Sequence, residues 1–234
     1  MKSRIFILSA LLVMISQPAS ACELNVGWEE WKPYIYAEKG QMKGADYEYL
    51  MRLSDAIDCH LTFKEMPWIH ALEQMEQGKL DLLSGASLIE SHKAYASFSL
   101  PYRHEDIVLV TASGEKPADI NDWLSHNRIG FIRGFQYPEV LMDALDNMNP
   151  VRKTEADSDE QLLRALESGS RFDGYLSERV IATYQRSQTR LPLTITSIPA
   201  DDLEPLYFML SKKIPAAVLS DINVAIETLS YYEE

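Results

Sequence analysis

The chain has two cysteines, Cys22 and Cys59, and their chemistry depends on the compartment in which the protein folds. In an oxidising compartment an even pair of cysteines is expected to form a disulfide. An alternative makes Cys22 a lipid-bearing N-terminal residue, although Ala19 is smaller than the aliphatic residue usual at that place in lipoprotein signals. Nothing near either cysteine resembles the base of a catalytic thiol, so we favour the disulfide.

The first 21 residues have the order of a secretory signal peptide. Lys2 and Arg4 precede an apolar stretch, which is followed by the small residues Ala19 to Ala21. This order marks a segment that is removed on export, and the apolar stretch is too short to span a bilayer. We therefore assign 1–21 to the signal peptide and expect a periplasmic protein whose mature chain begins at Cys22.

Motifs for catalysis or metal binding are missing from the sequence. The five histidines lie apart, without H-E-x-x-H or a similar metal-binding spacing. There is no G-x-S-x-G elbow and no phosphate-binding loop. An acid–base pair of His92 and Glu178 facing each other across a cleft is the arrangement that would make an enzyme. We predict a protein that is not an enzyme and that has no metal and no other cofactor.

The charge of the chain restricts its partners. The formal net charge is −13, and removal of the basic leader makes it more negative. Nucleic acids and anionic lipid surfaces bind clustered Lys and Arg, so neither is an expected partner. We expect a monomer that binds a small polar molecule.

Strand-like and helix-like segments alternate in the first part of the chain. They are a strand Glu23–Trp28, a helix around Leu50, a strand His60–Glu65, a helix that begins at Pro67 and a short strand Leu80–Leu83. This order implies a parallel sheet covered by helices. The two cysteines would then open neighbouring strands, at a separation that suits a disulfide.

The same pattern occurs again further along the chain. It consists of a strand Arg128–Ile132, a helix from Pro138, a capping box Ser158–Gln161, a strand Phe172–Leu176 and a helix Val180–Gln185. The last strand, Leu206–Leu210, and a final helix close the chain.

Two extended runs, Asp106–Ala112 and Leu193–Ile198, connect the two blocks. We therefore predict an α/β fold of two parallel-sheet lobes joined by two crossover strands, with a ligand cleft between them. One lobe comprises 22–109 with 201–234, and the other comprises 110–200.

Several passages, in their order and spacing, carry a resemblance to a known family. They are Trp31 to Tyr34, Gly44 to Leu50, Trp68 to Asp81, Gly85 to Ser87, Phe98 to Glu105, Arg133 with Gly134, and Gly169 to Asp173. The chain resembles the family-3 extracellular solute-binding proteins, typified by the polar amino-acid-binding proteins of bacterial ABC importers. The resemblance implies the type II periplasmic binding-protein fold and capture of a ligand between the lobes.

By matching positions, the resemblance also implies a set of ligand-binding residues. They are Trp31, Trp68, Gly85, Ala86, Ser87, His92, Arg133, Gly134, Gln136 and Glu178. In the family the two tryptophan positions are aromatic walls, which attract ammonium groups. Tyr34 is read as structural. For Trp68 and for Glu178, core packing and helix capping respectively stay open as alternatives.

The sequence departs from the family where a ligand carboxylate would be held. Members that bind α-amino acids have an arginine at the position of His92, and histidine cannot make the same charged fork. In the second lobe the Gly-Thr/Ser-Thr turn is replaced by Gly134-Phe-Gln-Tyr137, and Arg133 beside it is a candidate replacement cation. Glu178 matches the acid that pairs with the ligand amine. We expect an amine-bearing ligand and weak binding of ordinary α-amino acids unless Arg133 substitutes.

The sequence therefore predicts a periplasmic solute-binding protein for a small polar, amino-acid-like or amine-bearing ligand. Delivery to an ABC permease is the first expectation. A sensor or accessory protein that presents its closed form to a membrane receptor is the alternative, and a dehydratase-like enzyme on the same fold is a third.

Mass spectrometry of protein from the periplasm tests the assignment of the N-terminus. We expect a chain that begins at Cys22 and weighs two hydrogens less than its reduced form. A diacylglyceryl group on Cys22 would instead show a membrane-anchored lipoprotein.

Overall fold

The computed structural model describes residues 22–112, 116–169, 172–198, 203–229 and 231, so the proposed signal peptide lies outside the described residues. In chain order the strands are β1 (Cys22–Trp28), β2 (Tyr36–Glu38), β3 (Gln41–Lys43), β4 (Cys59–Glu65), β5 (Leu82–Ala86), β6 (Ala96–Glu105), β7 (Ile107–Thr111), β8 (Ile129–Ile132), β9 (Lys153–Ala156), β10 (Gly174–Glu178), β11 (Thr194–Ser197) and β12 (Glu204–Ser211). The helices are α1 (Ala45–Ile57), α2 (Trp68–Glu76), α3 (Ile120–His126), α4 (Glu139–Asn147), α5 (Asp159–Glu167), α6 (Arg179–Gln188) and α7 (Ala216–Thr228). Short 3-10 turns lie at Glu90–Ala94 and Pro150–Arg152.

The first lobe is built on a five-stranded sheet in the order β4-β1-β5-β12-β6. The strands β4, β1 and β5 are parallel, whereas β12 runs antiparallel to both β5 and β6. The helices α1 and α7 contribute apolar residues such as Leu50, Leu53 and Ile222 to a core with Leu24 and Phe208 of the sheet. The helix α2 packs with Leu72 and Met75 in a separate cluster that includes residues of β5.

The second lobe is built on a sheet in the order β11-β7-β10-β8-β9. Here β10, β8 and β9 are parallel, and β7 is antiparallel to β10 and β11. Two clusters of buried residues share this sheet: Leu109 and Leu176 belong to one cluster, and Val108 and Tyr175 to the other. Their alternation along the strands shows that both faces of the sheet are covered.

The two lobes are joined where β6 leads into β7 and where β11 leads towards β12. Asp106 is the single residue between β6 and β7. Its carbonyl oxygen accepts the backbone N–H of Arg179 at 2.9 Å, and its carboxylate pairs with the guanidinium of Arg179. The same guanidinium donates to Oγ of Ser197, the last residue of β11, at 2.9 Å. The side chain of Arg179 therefore bonds to a residue at each of the two connections between the lobes.

The two-lobed α/β fold predicted from the sequence is confirmed, with a correction to its sheets. Both sheets are mixed rather than parallel. The physical reason is that strands such as β7 and β12 begin where the chain enters from the other lobe, so they run against the strands made within their own lobe. The strand β7 belongs to the second sheet from Ile107 onward. The exact bounds of the lobes stay a prediction.

No helix among the described residues is long and apolar enough to cross a membrane.

The predicted disulfide is confirmed, because Cys22 and Cys59 are bonded. They are directly opposite each other at the start of the parallel pair β1 and β4, with Cα atoms 4.4 Å apart. The bridge closes a loop between residues that are 37 apart in sequence and that enclose the whole of α1.

Replacement of both cysteines by serine should lower the free energy of unfolding by about 2–4 kcal/mol, because the unfolded chain regains the entropy of that loop. The measurement is the urea midpoint of the native protein and the Cys22→Ser/Cys59→Ser variant, each with and without reductant. Reductant should lower the midpoint of the native protein and leave that of the variant unchanged. Equal midpoints in all four samples would contradict a stabilising role.

Candidate functional site

The facing surfaces of the two lobes form a narrow, partly open cavity, in which a water-sized sphere can occupy about 40 Å³. The first lobe contributes mainly the chain that follows β1 and the end of β5, and the second lobe contributes the ends of β8 and the start of α5. The lining residues that the site depends on are Glu29, Trp31, Trp68, Gly85, Phe135 and Asp159. The wall is thus largely aromatic, and of its three acidic residues Glu30 is paired with Lys32, which leaves the carboxyl groups of Glu29 and Asp159.

Trp31 occupies the centre of this cleft and is held by a tight loop. Its backbone N–H donates to the carbonyl oxygen of Ile35 at 2.8 Å, and its own carbonyl oxygen accepts from Tyr34 and Ile35. Its ring lies edge-on to Phe135 of the second lobe, with centroids 6.5 Å apart. A Cβ on Gly85, whose φ is +72°, would lie 2.8 Å from the indole ring. Glycine is therefore required at position 85 both for its conformation and for the space that the tryptophan fills.

The carboxyl groups of Glu29 and Asp159 face the same cavity from opposite lobes. Glu29 accepts the backbone N–H of Trp68 at 2.9 Å. Burial raises its pKa to about 7 against the effect of that hydrogen bond, and the charge of Asp159 raises it further. Burial also raises the pKa of Asp159 to about 6, although the hydroxyl of Ser177, 2.6 Å away, favours the ionised form. A nearby positive charge would stabilise the ionised form of both carboxyl groups.

Local sequence explains the position of Asp159. It is the first residue of α5, and the preceding Ser158 is the N-cap, whose hydroxyl accepts from the backbone N–H of Gln161 at 3.3 Å. The predicted capping box therefore presents Asp159 at the cleft. The indole of Trp31 also favours the ionised form of Asp159 and lines the same cavity, so this carboxyl group of the second lobe lies close to the first lobe.

Glu178 ends β10 and caps α6. Its Oε2 accepts the backbone N–H groups of Val180 at 2.6 Å and Ile181 at 3.1 Å. Burial raises the pKa of Glu178, while the hydrogen bonds from Ile181 and from the hydroxyl of Tyr34 act in the opposite direction. It lines a small recess beside Trp31 and Asp159. Both the predicted position at the cleft and the alternative capping role therefore apply to this residue.

Behind Trp31 lies Arg103, a buried arginine of β6. Its Nε donates to Oδ1 of Asp46 at 3.2 Å, and both side chains are only 1% exposed. The guanidinium carbon lies 4.0 Å from the ring centroid of Tyr34 and 4.9 Å from that of Trp31. Stacking on these rings and pairing with Asp46 compensate for the removal of the charge from water.

Glu105 lies two residues further along β6 and is 1% exposed. Burial raises its pKa to about 8, against the effect of the Arg103 charge, and the charges of Glu178 and Glu204 add to the increase. The region where the lobes join therefore holds several carboxyl groups that are protonated more readily than in water.

The structure brings four of the residues predicted from the sequence together. Trp31, Trp68 and Gly85 line the main cavity, and Glu178 lines the adjoining recess. Ser87 and Gln136 line a separate, open groove between the lobes, together with Glu204.

The other predicted residues lie outside the main cavity. Ala86 is 1% exposed in the core of the first lobe. Gly134 is on the surface near Ile69, where a Cβ would lie 3.0 Å from that side chain. Arg133 is exposed and pairs with Glu155 at 2.9 Å and Asp157 at 3.1 Å.

His92 lies in the first 3-10 turn, and it is not part of the lining of the main cavity or of the recess beside Glu178. Its ring centroid is 5.6 Å from that of Tyr95, and burial lowers its pKa. The side chain therefore does not face Glu178 from the cavity wall, as an acid–base pair across the cleft would require.

Sequence reasoning missed Glu29, Asp159, Arg103 and Glu105 as candidates. Asp159 was detectable, because a helix N-terminus at the mouth of a cleft is a place for charged ligand groups. Glu29 follows β1 directly, and residues at the carboxyl ends of parallel strands often face a ligand crevice. The environment of Arg103 and Glu105 depends on contacts between distant segments and had no local signal.

Within the described ranges, no group of three or more His, Cys, Asp or Glu side chains is arranged to hold a metal ion.

Residues 24–231 match the model of the family described as bacterial extracellular solute-binding proteins, family 3. A probable histidine-binding protein of Neisseria gonorrhoeae is 24% identical over 191 residues, which are 81% of this chain and 70% of that protein. The probable amino-acid-binding protein YxeM of Bacillus subtilis (strain 168) is 23% identical over 168 residues, which are 71% of this chain and 63% of YxeM.

Solved structures show the same fold. An ancestral arginine-binding protein bound to arginine has a TM-score of 0.77 at 21% identity, covering 88% of this chain and 91% of its own. The arginine-, lysine-, histidine-binding protein ArtJ of Geobacillus stearothermophilus has a TM-score of 0.77 at 17% identity, with 88% of each chain covered. A histidine kinase sensor domain with similarity to periplasmic binding proteins has a TM-score of 0.75 at 16% identity, covering 88% and 90%.

The raised pKa values predict how stability depends on pH. Glu29, Asp159 and Glu105 bind their protons more tightly in the folded chain than in the unfolded one. Their contribution to the free energy of unfolding is therefore complete below about pH 4 and is lost as pH rises through about 6, 7 and 8. We expect the free energy of unfolding to fall by several kcal/mol, on the order of 1.4 kcal/mol for each pH unit and each group that titrates, between pH 5 and pH 8.

Urea midpoints at pH 5, 6.5 and 8 measure this effect. Glu105→Gln should flatten the fall between pH 6.5 and 8, whereas Glu227→Gln on the exposed side of α7 should not. A midpoint that rises over this range and is the same in both variants would contradict the assignment.

Proposed function

The chain belongs to the bacterial extracellular solute-binding proteins, family 3, and from this premise we propose that it captures a small, positively charged, amine-bearing solute in the cleft between its lobes. The family resemblance found in the sequence is thereby confirmed, and the chain is a solute-binding protein. The observation that carries the choice of ligand is the pair of carboxyl groups with raised pKa values, Glu29 and Asp159, that face an aromatic cavity from opposite lobes.

The cavity walls have the chemistry that attracts a cation. Trp31, Trp68 and Phe135 offer aromatic faces and edges, and an ammonium or guanidinium group is attracted to the face of an aromatic ring. A positive charge placed between Glu29 and Asp159 would interact with both carboxylates in a site largely shielded from water, where electrostatic attraction is stronger than in bulk solvent.

Positive side chains close to the cavity are already paired. Lys32, which lines the outer groove beside Trp31, is 2.6 Å from a carboxylate oxygen of Glu30. Arg133 is paired on the surface, and Arg103 lies behind Trp31. Among the described lining residues of the main cavity there is no Lys, Arg or His, so its ionisable lining groups are all acidic.

The relatives support the same class of ligand. The name of the Neisseria gonorrhoeae relative describes a histidine-binding protein, and histidine carries an amine and an ionisable ring. We propose that the mature protein acts in the periplasm and delivers its solute to an ABC permease. We propose no catalytic role, because His92 and Glu178 do not face each other from the wall of the main cavity.

The proposal predicts binding that depends on charge and on pH. L-arginine, L-lysine, L-histidine, agmatine and cadaverine should be screened by thermal shift and then by calorimetry, with citrulline as the neutral isostere of arginine. At least one of these cationic compounds should bind, and the affinity of any compound other than histidine, whose ring loses its own proton over this range, should rise between pH 5.5 and 8 as Glu29 and Asp159 ionise. Citrulline should bind at least about tenfold more weakly, since one charged hydrogen bond is worth that much.

Glu29→Gln and Asp159→Asn should each weaken binding of the cation by about tenfold or more, and Glu227→Gln is the matched control. Equal binding of arginine and citrulline, unaffected by these two variants and by pH, would refute the proposed ligand class.

A further inference from the structure

The outer groove beside Trp31 adjoins the main cavity and is larger than it. The two spaces share the lining residues Glu30, Trp31 and Asp159. The other walls of the outer groove come from Lys32 of the first lobe and from α5 and α6 of the second lobe. Both spaces therefore lie between the lobes, and Trp31 and Asp159 are walls common to them.

The main cavity, as the structure shows it, is too small for a whole solute molecule. A water-sized sphere can occupy about 40 Å³ of it. One water needs about 10–15 Å³ measured in this way, so the main cavity has room for about three or four groups of that size. This suffices for an ammonium group or a guanidinium head, but not for the chain attached to it. The outer groove offers about 220 Å³ by the same measure and has room for the remaining atoms.

Two further spaces near the main cavity do not offer this room. The recess beside Glu178 also shares Trp31 and Asp159 with the main cavity, but a water-sized sphere can occupy only about 10 Å³ of it. The open groove that contains Ser87 and Gln136 is larger, but none of its described lining residues also lines the main cavity. Of these three neighbours, the outer groove is the one that is both adjacent and large enough.

The ionisable side chains of the outer groove are mostly acidic. Its described lining contains three acidic residues, Glu30, Asp159 and Glu160, and one basic residue, Lys32. The Nζ of Lys32 is 2.6 Å from Glu30, and Glu160 pairs with Arg164 at 3.3 Å. The side chains of both pairs are about a third exposed or more, and such exposed ion pairs stabilise a fold little. Their carboxylates can therefore be shared with a charged ligand.

Lys32 shows that the outer groove accommodates an ammonium group. The hydrogen bond to Glu30 raises the pKa of Lys32 against the effect of burial, and interactions with Tyr184 and Glu160 of the second lobe raise it further. Groups of both lobes thus stabilise a positive charge at this place. The side chain of Leu163 and the indole ring line the same groove and offer apolar surface to methylene groups.

We propose that the solute is a linear diamine or polyamine that lies across Trp31, with one cationic end in the main cavity and a second ammonium group in the outer groove. The first end interacts with Glu29 and Asp159, and the second end interacts with Glu30 and Glu160. The methylene chain between the two ends contacts the indole ring. This inference rests on the proposed capture of a cation in the main cavity, to which it adds the requirement for a second, distant positive charge.

Two matched pairs of compounds test the proposal on the unmodified protein. Agmatine and n-butylguanidine, like cadaverine and n-pentylamine, differ only in the second amino group. Calorimetry should show the compound with two charges binding about tenfold more tightly, because each of two partly exposed ion pairs is worth about threefold. Equal binding within either pair would overturn this inference and leave the proposed cation site standing. If none of the four compounds binds, this inference fails, and the amino acids of the thermal-shift screen decide on the cation site separately.

Chain length and an added carboxylate distinguish this site from general attraction to an acidic protein. The preference for diamine over monoamine should be smaller for 1,3-diaminopropane and n-propylamine than for cadaverine and n-pentylamine, because the shorter chain does not reach from one space to the other. L-arginine, which adds an α-carboxylate to agmatine, should bind more weakly than agmatine, since the carboxylate would lie close to Glu30 and Glu160. The same preference at both chain lengths, or tighter binding of L-arginine, would overturn the proposal.

Two variants of the outer groove should change the preference for agmatine over n-butylguanidine in opposite directions. Glu160→Gln should reduce it by about threefold, the size of one exposed ion pair. Lys32→Gln, which frees the carboxylate of Glu30, should increase it. Glu227→Gln on α7 makes the same change of charge as Glu160→Gln at an exposed, distant position and should leave the preference unchanged.

The ratio of the two affinities is the readout, because a purely structural effect would weaken both ligands alike and leave the ratio unchanged. An equal effect of Glu160→Gln and Glu227→Gln on this ratio would refute the second ammonium site. An unchanged ratio in Lys32→Gln would refute the part assigned to Glu30, even if Glu160→Gln fails to fold.

Discussion

Two aromatic side chains of one short loop in the first lobe lie beside two carboxyl groups of the second, and the cleft depends on this contact. The indole of Trp31 favours the ionised form of Asp159, and the hydroxyl of Tyr34 favours the ionised form of Glu178. These carboxyl groups lie at the N-termini of α5 and α6, so a single loop meets two helix ends. Contact removes these carboxylates from water, which raises their pKa values. The cation that we propose as ligand would offset that desolvation, which would link contact between the lobes to the charge of the solute.

Local sequence signals were sufficient for much of the fold. The capping box at Ser158, the proline before α2 and the apolar periodicity of α1 each placed an element near its observed position. The strand β6 was not predicted, because Pro101 and the irregular pairing around Tyr207 interrupt its pattern. Such irregularities are tolerated because β6 is at the edge of its sheet. The antiparallel direction of β7 and β12 was also missed, since it depends on where the chain returns from the other lobe.

The site was predictable only in part, for a different reason. Trp31 and Trp68 were identified because they match cleft positions of the family, and a shared fold keeps matching positions in the same place. The charge and the hydrogen bonds of a side chain cannot be inferred from its matching position in this way. The environment of Arg103 is made by Asp46 and Tyr34, which are more than fifty residues away in sequence, so only the folded chain shows that it is buried and only partly hydrogen bonded.

The side chain of Arg179 spans the two places where the chain passes between lobes. It pairs with Asp106 in the first crossing and with Ser197 at the start of the second. The bonds of Arg179 to both connections restrain β7 and β11 from twisting independently of each other beside the junction of the lobes. We therefore expect the lobes to rotate mainly about one axis near Arg179, so that the two walls of the cleft would return to the same register each time it closes.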